Sequence, residues 1–423
     1  MRALVLCLLC GCGRIGFEDV RDNARADAGD AGAPFVEAVG QLDATFGSAG
    51  VTIVPAGMYG SQPYAVVERA DGGYFAVGVH EGASLSRYFG VFAFTQSGAL
   101  DTTYGTSGIA DLGPTANDFG YGAIRGADGR TALVGDGNDG SGDLDNVTVA
   151  LLDTDGRLVS SFATNGFSRT DIGGLQLDDT SRGVAFLADR LVVCGTHDYV
   201  AMNSQIILLE LGLDGTPLAG FGTSGVVTDD FSTGIDECNA VIRMPSGDLV
   251  VSGRTAGRAM LAAYSPDGTR DAAFASGGFV RVGGASTNAY DVALAGDGDL
   301  VTCGDGNGVA MCARAGPDGT LRTSFGQSGL VMVPSLSLFW AVEVQPNGKI
   351  VATGQTAANG SGVVVRLAAD GTLDQSFGSG GMVTLPTSGD TELQGLLLQA
   401  DGSIVTTGYV SGTLDRAVIA RIR

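Results

Sequence analysis

One short motif, repeated along the chain, constrains the fold more than any other feature. It consists of an aromatic residue, usually followed by Gly, with a further Gly four positions after the aromatic residue, and residues 373–381 (LDQSFGSGG) are its clearest copy. The aromatic residues are Phe46, Tyr104, Phe162, Phe221, Phe274, Phe325 and Phe377. They are separated by 58, 58, 59, 53, 51 and 52 residues. A repeat of this period indicates units that share one continuous core.

Each repeat unit contains four short runs of β-forming residues. In the unit that starts at Phe221 these runs are VVTDDF, NAVIRM, DLVVSG and AMLAAY, and Gly, Pro, Asn and Asp separate them. This alternation is typical of strands joined by tight turns. Asp-Gly or Asn-Gly recurs between the second and third runs, but the third unit has Leu-Ala-Asp-Arg at residues 187–190. We therefore expect hairpins throughout and a distorted hairpin in that unit.

Seven units of four strands predict an all-β fold, a seven-bladed β-propeller with about four antiparallel strands per blade. A four-stranded blade buries both of its faces only between two neighbours, and a closed ring gives every blade two neighbours. The alternative is an open solenoid, but the ends of the chain lack the polar capping repeats that solenoids need. We expect residues 417–423 to supply the fourth strand of the last unit.

The repeat aromatics are expected to fill the core between blades. Seven equivalent copies suit packing better than a binding site, which normally needs one local constellation. The alternative is a row of ligand-stacking side chains. The Gly that ends each motif is expected to have a positive φ or to allow a close backbone approach.

The charge balance argues against a nucleic-acid ligand. Asp and Glu number 46 against 24 for Lys and Arg, which gives a formal net charge of -22, and Lys349 is the only lysine. Contacts with phosphates need clustered cations, and no basic cluster interrupts the acidic sequence. We expect the acidity to keep the protein soluble, with cation binding as the alternative.

The first residues predict export. Arg2 precedes an apolar run at residues 3–10, which is too short to span a bilayer because a spanning helix needs ~20 residues. Residues 9–12 (LCGC) resemble the lipobox of bacterial lipoproteins, which implies that residues 1–11 are a signal peptide and that Cys12 carries the lipid. The alternative is that Cys12 is an ordinary core cysteine.

The domain boundaries follow from that N-terminus. Residues 12–40 are the lipidated cysteine and a flexible tether rich in Asp, Ala and Gly, with too little apolar surface to collapse. Residues 41–423 form the seven-repeat propeller. The expected location is the cell envelope, with a lipid anchor in the outer membrane rather than the inner membrane.

Two sequence blocks resemble the delta-60 repeat family. Residues 370–381 (DGTLDQSFGSGG) are similar to its DGTLDxxFGxxG block, and residues 346–354 (PNGKIVATG) to its PNGKIxxxG block. The resemblance extends over residues 42–423, with Ala163 and Ala275 replacing the Gly after Phe. It implies propeller-like repeats in a secreted or surface-anchored bacterial protein, and it supplies no catalytic residues.

Four cysteines lie in the repeat region: Cys194, Cys238, Cys303 and Cys312. An exported protein meets an oxidising compartment, where disulfides form. The residues between Cys303 and Cys312 are centred on Asn307-Gly308, a preferred dipeptide for a type I′ hairpin turn. That turn places the two cysteines opposite each other in a non-hydrogen-bonded pair, with Cα atoms about 4.5 Å apart. We predict a disulfide there, the alternative being two buried thiols. Cys194 and Cys238 could then join units three and four, although the sequence does not fix their register.

The best metal candidate is the acidic loop at residues 135–146 (GDGNDGSGDLDN). Its oxygen ligands suit calcium, although the loop does not match an EF-hand. The candidate ligands are Asp136, Asn138, Asp139, Asp143 and Asp145. The alternative is a solvated loop without metal.

The chain has two histidines, His80 and His197. Each follows the third run of a unit, and units one and three are not neighbours. We expect two separate surface-loop histidines rather than a shared metal site.

These features predict a monomeric, non-catalytic module that is anchored in the cell envelope and binds a protein or glycan, with no required cofactor. Loops after the third run differ most between units, and variable loops on a rigid scaffold commonly carry recognition. The alternative is a propeller enzyme, a hydrolase or lyase with its site at the central channel, and a third interpretation is a purely structural role. Convergence of acidic and polar side chains at one mouth of the channel would separate the first two.

Overall fold

The computed structural model of the chain describes residues 35–55, 60–82, 86–113, 118–138, 145–173, 177–200, 203–358 and 360–423. Within these residues the secondary structure comprises 28 β-strands in seven antiparallel sheets of four strands each. The predicted seven-bladed β-propeller is therefore confirmed. No helix in the described ranges is long and apolar enough to cross a membrane.

Blades 1 to 6 are each continuous in sequence, and each runs from an innermost strand at the central channel to an outermost strand. In that order the strands are β2 (Ser61–Glu68), β3 (Tyr74–Glu81), β4 (Arg87–Phe94) and β5 (Ile109–Leu112) in blade 1; β6 (Asp118–Arg125), β7 (Thr131–Gly137), β8 (Asn146–Leu152) and β9 (Phe167–Thr170) in blade 2; β10 (Asp179–Leu187), β11 (Arg190–Val200), β12 (Asn203–Gly212) and β13 (Val226–Asp229) in blade 3; β14 (Asp236–Arg243), β15 (Leu249–Thr255), β16 (Arg258–Tyr264) and β17 (Phe279–Val282) in blade 4; β18 (Thr287–Leu294), β19 (Leu300–Gly306), β20 (Val309–Ala315) and β21 (Leu330–Val333) in blade 5; and β22 (Leu336–Val344), β23 (Ile350–Thr356), β24 (Gly362–Leu367) and β25 (Met382–Thr384) in blade 6.

Blade 7 combines strands from both ends of the described chain. Its inner strands are β26 (Thr391–Leu398), β27 (Ile404–Val410) and β28 (Arg416–Ile422), and its outermost strand is β1 (Val51–Ile53). Residues 51–53 pair with residues 418–420, so backbone hydrogen bonds close the ring. Residues 417–423 form the fourth strand of the last sequence unit, as expected, but the units are out of phase with the blades: β28 is the third strand of blade 7, and β1 completes the sheet. Each sequence unit thus begins with the outermost strand of the preceding blade.

The hairpin register in blade 5 is the predicted one. Cys303 pairs with Cys312 across β19 and β20, and both turn residues have positive φ, 52° at Asn307 and 73° at Gly308. In the third unit Leu187 pairs with Arg190, which leaves a two-residue turn. The equivalent turn in blade 1 contains five residues, 69–73. The distortion expected for the hairpin of the third unit is therefore a shorter turn.

The repeat aromatics hold adjacent blades together. Six of them are at most 2% exposed, and Tyr104 is partly buried. The backbone N–H after Phe221 donates to the carbonyl of Asp267 in the next blade at 2.8 Å. A Cβ on Gly268 would lie 3.1 Å from the Phe221 ring, so this turn needs glycine for its close approach. The Gly that ends each motif has positive φ in all seven copies, from 91° to 98°.

The last part of the predicted tether, residues 35–40, packs against blades 6 and 7. Ala38 is 4% exposed and its carbonyl accepts a 2.6 Å hydrogen bond from Arg366. The carbonyl of Val39 accepts a 3.0 Å hydrogen bond from the N–H of Gly378. Gly40, with φ of 83°, lies beside Phe377. It corresponds to the Gly of the Asp-Gly turns that lie beside the other repeat aromatics. The segment therefore supplies the turn that packs on the seventh repeat aromatic, and the packed body begins before residue 41.

Candidate functional site

Each innermost strand contains a β-bulge near its middle. In blade 6 the register also shifts at Ser337. Apart from that shift, the bulge leaves one extra residue per blade without a partner in the neighbouring strand. These extra residues all line the central cavity, and we call them the bulge ring: Tyr64, Tyr121, Arg182, Asn239, Tyr290, Trp340 and Gln394. A feature that recurs in every blade thus brings seven chemically varied side chains to one cavity.

The residue after each bulge is small in six of the seven blades, because the innermost strands approach closely there. A Cβ on Gly183 would lie 2.7 Å from the Cα of Ala240 in the next blade. The exception is Asp291, whose carboxylate accepts a 2.9 Å hydrogen bond from the backbone N–H of Val342. This bond joins the inner edges of blades 5 and 6 beside two members of the bulge ring, Tyr290 and Trp340.

Aromatic rings form much of the bulge ring. The ring centres of Tyr290 and Trp340 are 4.8 Å apart, and those of Tyr64 and Tyr121 are 5.7 Å apart. The indole Nε1 of Trp340 is buried and has no hydrogen-bond partner in the structure. Aromatic side chains offer large contact areas with few rotatable bonds, and an unpartnered donor is available to an acceptor on a ligand.

Polar members of the bulge ring are held by neighbouring groups. Gln394 donates to Glu392 at 2.9 Å, and the hydroxyl of Tyr290 donates to Asp305 at 3.2 Å. Asn239 donates to the carbonyl of Ala289 in the next blade at 2.9 Å. These bonds fix the side chains before any ligand arrives, which lowers the entropy cost of binding.

Arg182 is the cation of the bulge ring. Its guanidinium carbon lies 5.1 Å from the centre of the Tyr121 ring, which is within the range of a cation–π contact. Its side chain is exposed to the cavity. In the described part of the chain no carboxylate forms an ion pair with it, so Arg182 can reach a ligand.

Asp136 is a buried carboxyl on β7, the strand next to the innermost strand of blade 2. It pairs in register with Phe119 on the innermost strand and is 4% exposed, and its Oδ1 has no hydrogen-bond partner. Burial, followed by the negative charge of Asp145, raises the pKa of Asp136 to about 8, although Arg182 opposes the shift. The carboxyl group is therefore mostly protonated at neutral pH and can donate a proton or a hydrogen bond.

The predicted calcium loop is described only in part. Asp139 and Asp143 lie outside the described residues, whereas Asp136, Asn138 and Asp145 lie within them. Among described residues, no group of three or more His, Cys, Asp or Glu side chains is arranged to hold a metal ion. Calcium binding by this loop stays a prediction.

The two histidines occupy equivalent positions in blades 1 and 3. Nδ1 of His197 lies 2.6 Å from Asp179, and Nδ1 of His80 lies 2.6 Å from Asp111. The expectation of a surface histidine is wrong for His197, which is 4% exposed. The reason is that Asp179 also accepts the N–H of Ile172, so the His–Asp pair packs under the connection between blades.

The structure joins both predicted pairs of cysteines. Cys194 on β11 and Cys238 on β14 have Cα atoms 5.8 Å apart and link blades 3 and 4. Cys303 and Cys312 have Cα atoms 4.1 Å apart within blade 5. Oxidation of these pairs in the cell stays a prediction. The predicted lipidation site, Cys12, lies outside the described residues.

The fold defines this chain as a β-propeller. A family model described as "Domain of unknown function (DUF5122) beta-propeller" matches residues 345–377, which run from a hairpin turn in blade 6 to the last repeat aromatic. No curated protein sequence matches the chain.

Several solved propellers are similar in structure. A streptogramin B lyase has a TM-score of 0.53 and 13% identity, with 88% of this chain and 97% of that chain covered. A puromycin hydrolase has a TM-score of 0.52 and 15% identity, with 92% of this chain and 55% of that chain covered. Virginiamycin B lyase from Staphylococcus aureus has a TM-score of 0.51 and 10% identity, with coverage of 87% and 97%. Identities this low show a shared fold alone.

Proposed function

We propose that this protein is a binding module whose partner is a protein, and that a segment of the partner enters the mouth of the central channel. The observation that carries the proposal is the bulge ring. The same backbone position in each of the seven blades presents a side chain to one cavity, and the residue type varies between blades. Its members include three Tyr, one Trp and one Arg, the residue types enriched where binding energy concentrates in protein interfaces. The site therefore differs from the loops that the sequence favoured.

We further propose that the module is monomeric and works at the cell envelope, exported by residues 1–11 and anchored through lipid on Cys12. The lipobox-like residues 9–12 support this address. A rigid propeller on an anchored chain would hold its partner close to the membrane without taking part in a reaction.

Selection of peptides on the full chain carrying Cys12→Ser tests the proposed function. Short random peptides are selected on the immobilised protein, and their affinities are measured by calorimetry. Trp340→Ala should weaken selected peptides by about thirtyfold or more, since a hot-spot side chain contributes ~2 kcal/mol. Met332→Ala is the matched control, because Met332 is 40% exposed on β21, far from the channel.

Trp340→Phe keeps the ring volume closer to that of the native residue and controls for loss of folding. It should bind more weakly than the native protein while its melting temperature stays close to the native value. Absence of any selected peptide that depends on the bulge ring would contradict the proposal. Ring-dependent binding found only on a glycan array would replace the protein partner with a glycan.

An enzyme is the second candidate, and Asp136 is the observation that favours it. A carboxyl group that stays protonated near neutral pH beside Tyr121 and Arg182 has the property of a general acid. A hydrolase or lyase at the channel would need this proton. Turnover of a substrate by the native protein, lost in Asp136→Asn with binding retained, would support the enzyme.

A further inference from the structure

We infer that the partner segment is basic: it brings Lys or Arg side chains to the acidic mouth of the channel. This inference rests on the proposed function and specifies the chemistry of the ligand. The mouth is defined by the bulge ring and the connections around it, on the side where each innermost strand begins.

Several carboxylates on this side have no ion pair with any cation of the described residues. Examples from blades 2, 3, 5 and 7 are Asp136, Asp145, Asp178, Asp198, Asp305, Glu392 and Asp415. The ion pairs on the same side use other acids, such as Glu81 with Arg87 and Glu237 with Arg254. Asp136 is mostly protonated at neutral pH and Arg182 offsets one negative charge, so the other carboxylates leave the mouth with a surplus of negative charge.

Among the described residues on the opposite side of the propeller, some acids are also without an ion pair, such as Asp267 and Asp318, and others are neutralised. There the turns and repeat motifs pair acids with arginines, as in Asp374 with Arg366 at 2.6 Å and Asp299 with Arg314 at 2.9 Å. Asp43 and Arg421 form a further pair at 2.8 Å. The unpaired part of the net charge of -22 therefore includes the mouth.

Two further observations indicate a ligand rather than a solvated acidic surface. Asp136 is 4% exposed and its Oδ1 is unpartnered, so its desolvation is not compensated within the protein. Burial and the negative charge of Asp178 both raise the pKa of Asp198, and the same two causes act on Asp145. A cationic group at the mouth would relieve this repulsion and would complement the field of the site.

A basic peptide fits the mouth better than a metal ion does. Within the described residues the acids are not clustered closely enough to coordinate one ion. They are distributed around a cavity whose walls are aromatic, and Lys and Arg side chains combine ion pairing with cation–π contacts to Tyr and Trp.

Matched peptide libraries test the inference. The probes are short peptides of equal length whose random positions admit Lys and Arg in one library, Asp and Glu in a second, and only uncharged residues in a third. Selection on the full chain carrying Cys12→Ser should enrich the basic library, and the affinities should fall as salt rises.

The charge variant replaces Asp178, Asp198 and Asp305 by Asn. It should weaken basic peptides by about tenfold or more, through a slower association and a smaller salt dependence. The control variant makes the same charge change on the opposite side, by Asp155→Asn, Asp267→Asn and Asp318→Asn, and should bind as the native protein does.

The outcomes separate this inference from the proposed function. Ring-dependent binders that come only from the uncharged or acidic library would overturn the basic partner and leave the protein-binding function intact. Equal loss in the charge variant and its control would also overturn the inference, because the effect would then be one of net charge. Absence of ring-dependent binders from every library would overturn both.

Discussion

At the scale of single residues, Asp136 is a buried carboxyl whose Oδ1 has no hydrogen-bond partner. Its neighbours are Tyr121, Arg182, Asp145 and Asp178, and no described cation forms an ion pair with it. A buried carboxyl without a partner destabilises the folded protein once it ionises. Such a cost is retained where binding or catalysis uses the group.

Asp136→Asn should stabilise the protein in a pH-dependent manner. The pKa of Asp136 is about 8 in the folded protein, against ~3.9 in an unfolded chain. Between these values the folded state binds more protons, so the free energy of unfolding of the native protein falls as pH rises. The Asn variant does not lose stability in this way. Its free energy of unfolding should exceed that of the native protein by a margin that grows from pH 5 to pH 8, on the order of 4 kcal/mol at pH 7.

Urea unfolding across this pH range measures the difference. Asp155→Asn serves as the control, because its carboxylate is exposed on the opposite side and its exposed pair with Arg157 contributes little. An advantage of Asp136→Asn that stays constant from pH 5 to pH 8 would contradict a raised pKa at this position.

At the scale of elements, the sequence predicts the repeated parts well because each repeats its own chemistry. The aromatic motif, its final Gly and the Asn307-Gly308 turn all require particular backbone conformations, and the structure has them. The assignment of strands to blades was less accessible, since a run of β-forming residues does not say which neighbour it pairs with. Pairing of β1 with β28 depends on contacts between residues far apart in sequence.

The bulge ring was missed because its members share a position rather than a residue type. A signal was nevertheless present. In six units a variable residue is followed by Ala or Gly near the middle of the innermost strand, as in Tyr121-Gly122 and Trp340-Ala341. The small residue follows from the close approach of the strands, whereas the bulge itself is a backbone feature that a single sequence does not reveal. Burial of His197 likewise depended on a contact with Asp179 from another strand.

The hairpin of blade 5 gives a prediction at the same scale. Cys303 and Cys312 face each other in register, and we expect them to be oxidised in protein secreted into the periplasm. Closing a loop of about 10 residues should stabilise the protein by roughly 2.5–3 kcal/mol. Peptide mapping without reductant should recover the two cysteines in one linked peptide pair.

Cys303→Ser together with Cys312→Ser should lower the melting temperature. Reductant should lower the melting temperature of the native protein at least as much, because it also reduces Cys194–Cys238. Recovery of both cysteines as free, alkylatable thiols in the secreted protein would disprove the bridge.

At the scale of the whole molecule, the predicted location of the protein at the cell envelope rests on its first residues. Cys12→Ser should abolish labelling with a radioactive fatty acid and release the protein from membranes. Stable anchoring needs more than one acyl chain, as lipoproteins of this type provide. Cys10→Ser is the matched control, and equal labelling of native protein and Cys12→Ser would refute the anchor.

Ring closure joins the two ends of the described chain and should decide the cooperativity of unfolding. β28 lies between β27 and β1, so deletion of residues 417–423 removes a central strand of blade 7 and also detaches β1. The exposed blade faces and strand edges should cause aggregation or a broad, non-cooperative transition. Deletion of residues 1–34 is the control, because it leaves every described strand and the packed segment at residues 35–40 in place. Calorimetry of both truncated chains measures the effect. A chain without residues 417–423 that melts at the native temperature would show that the ring does not depend on its closing blade.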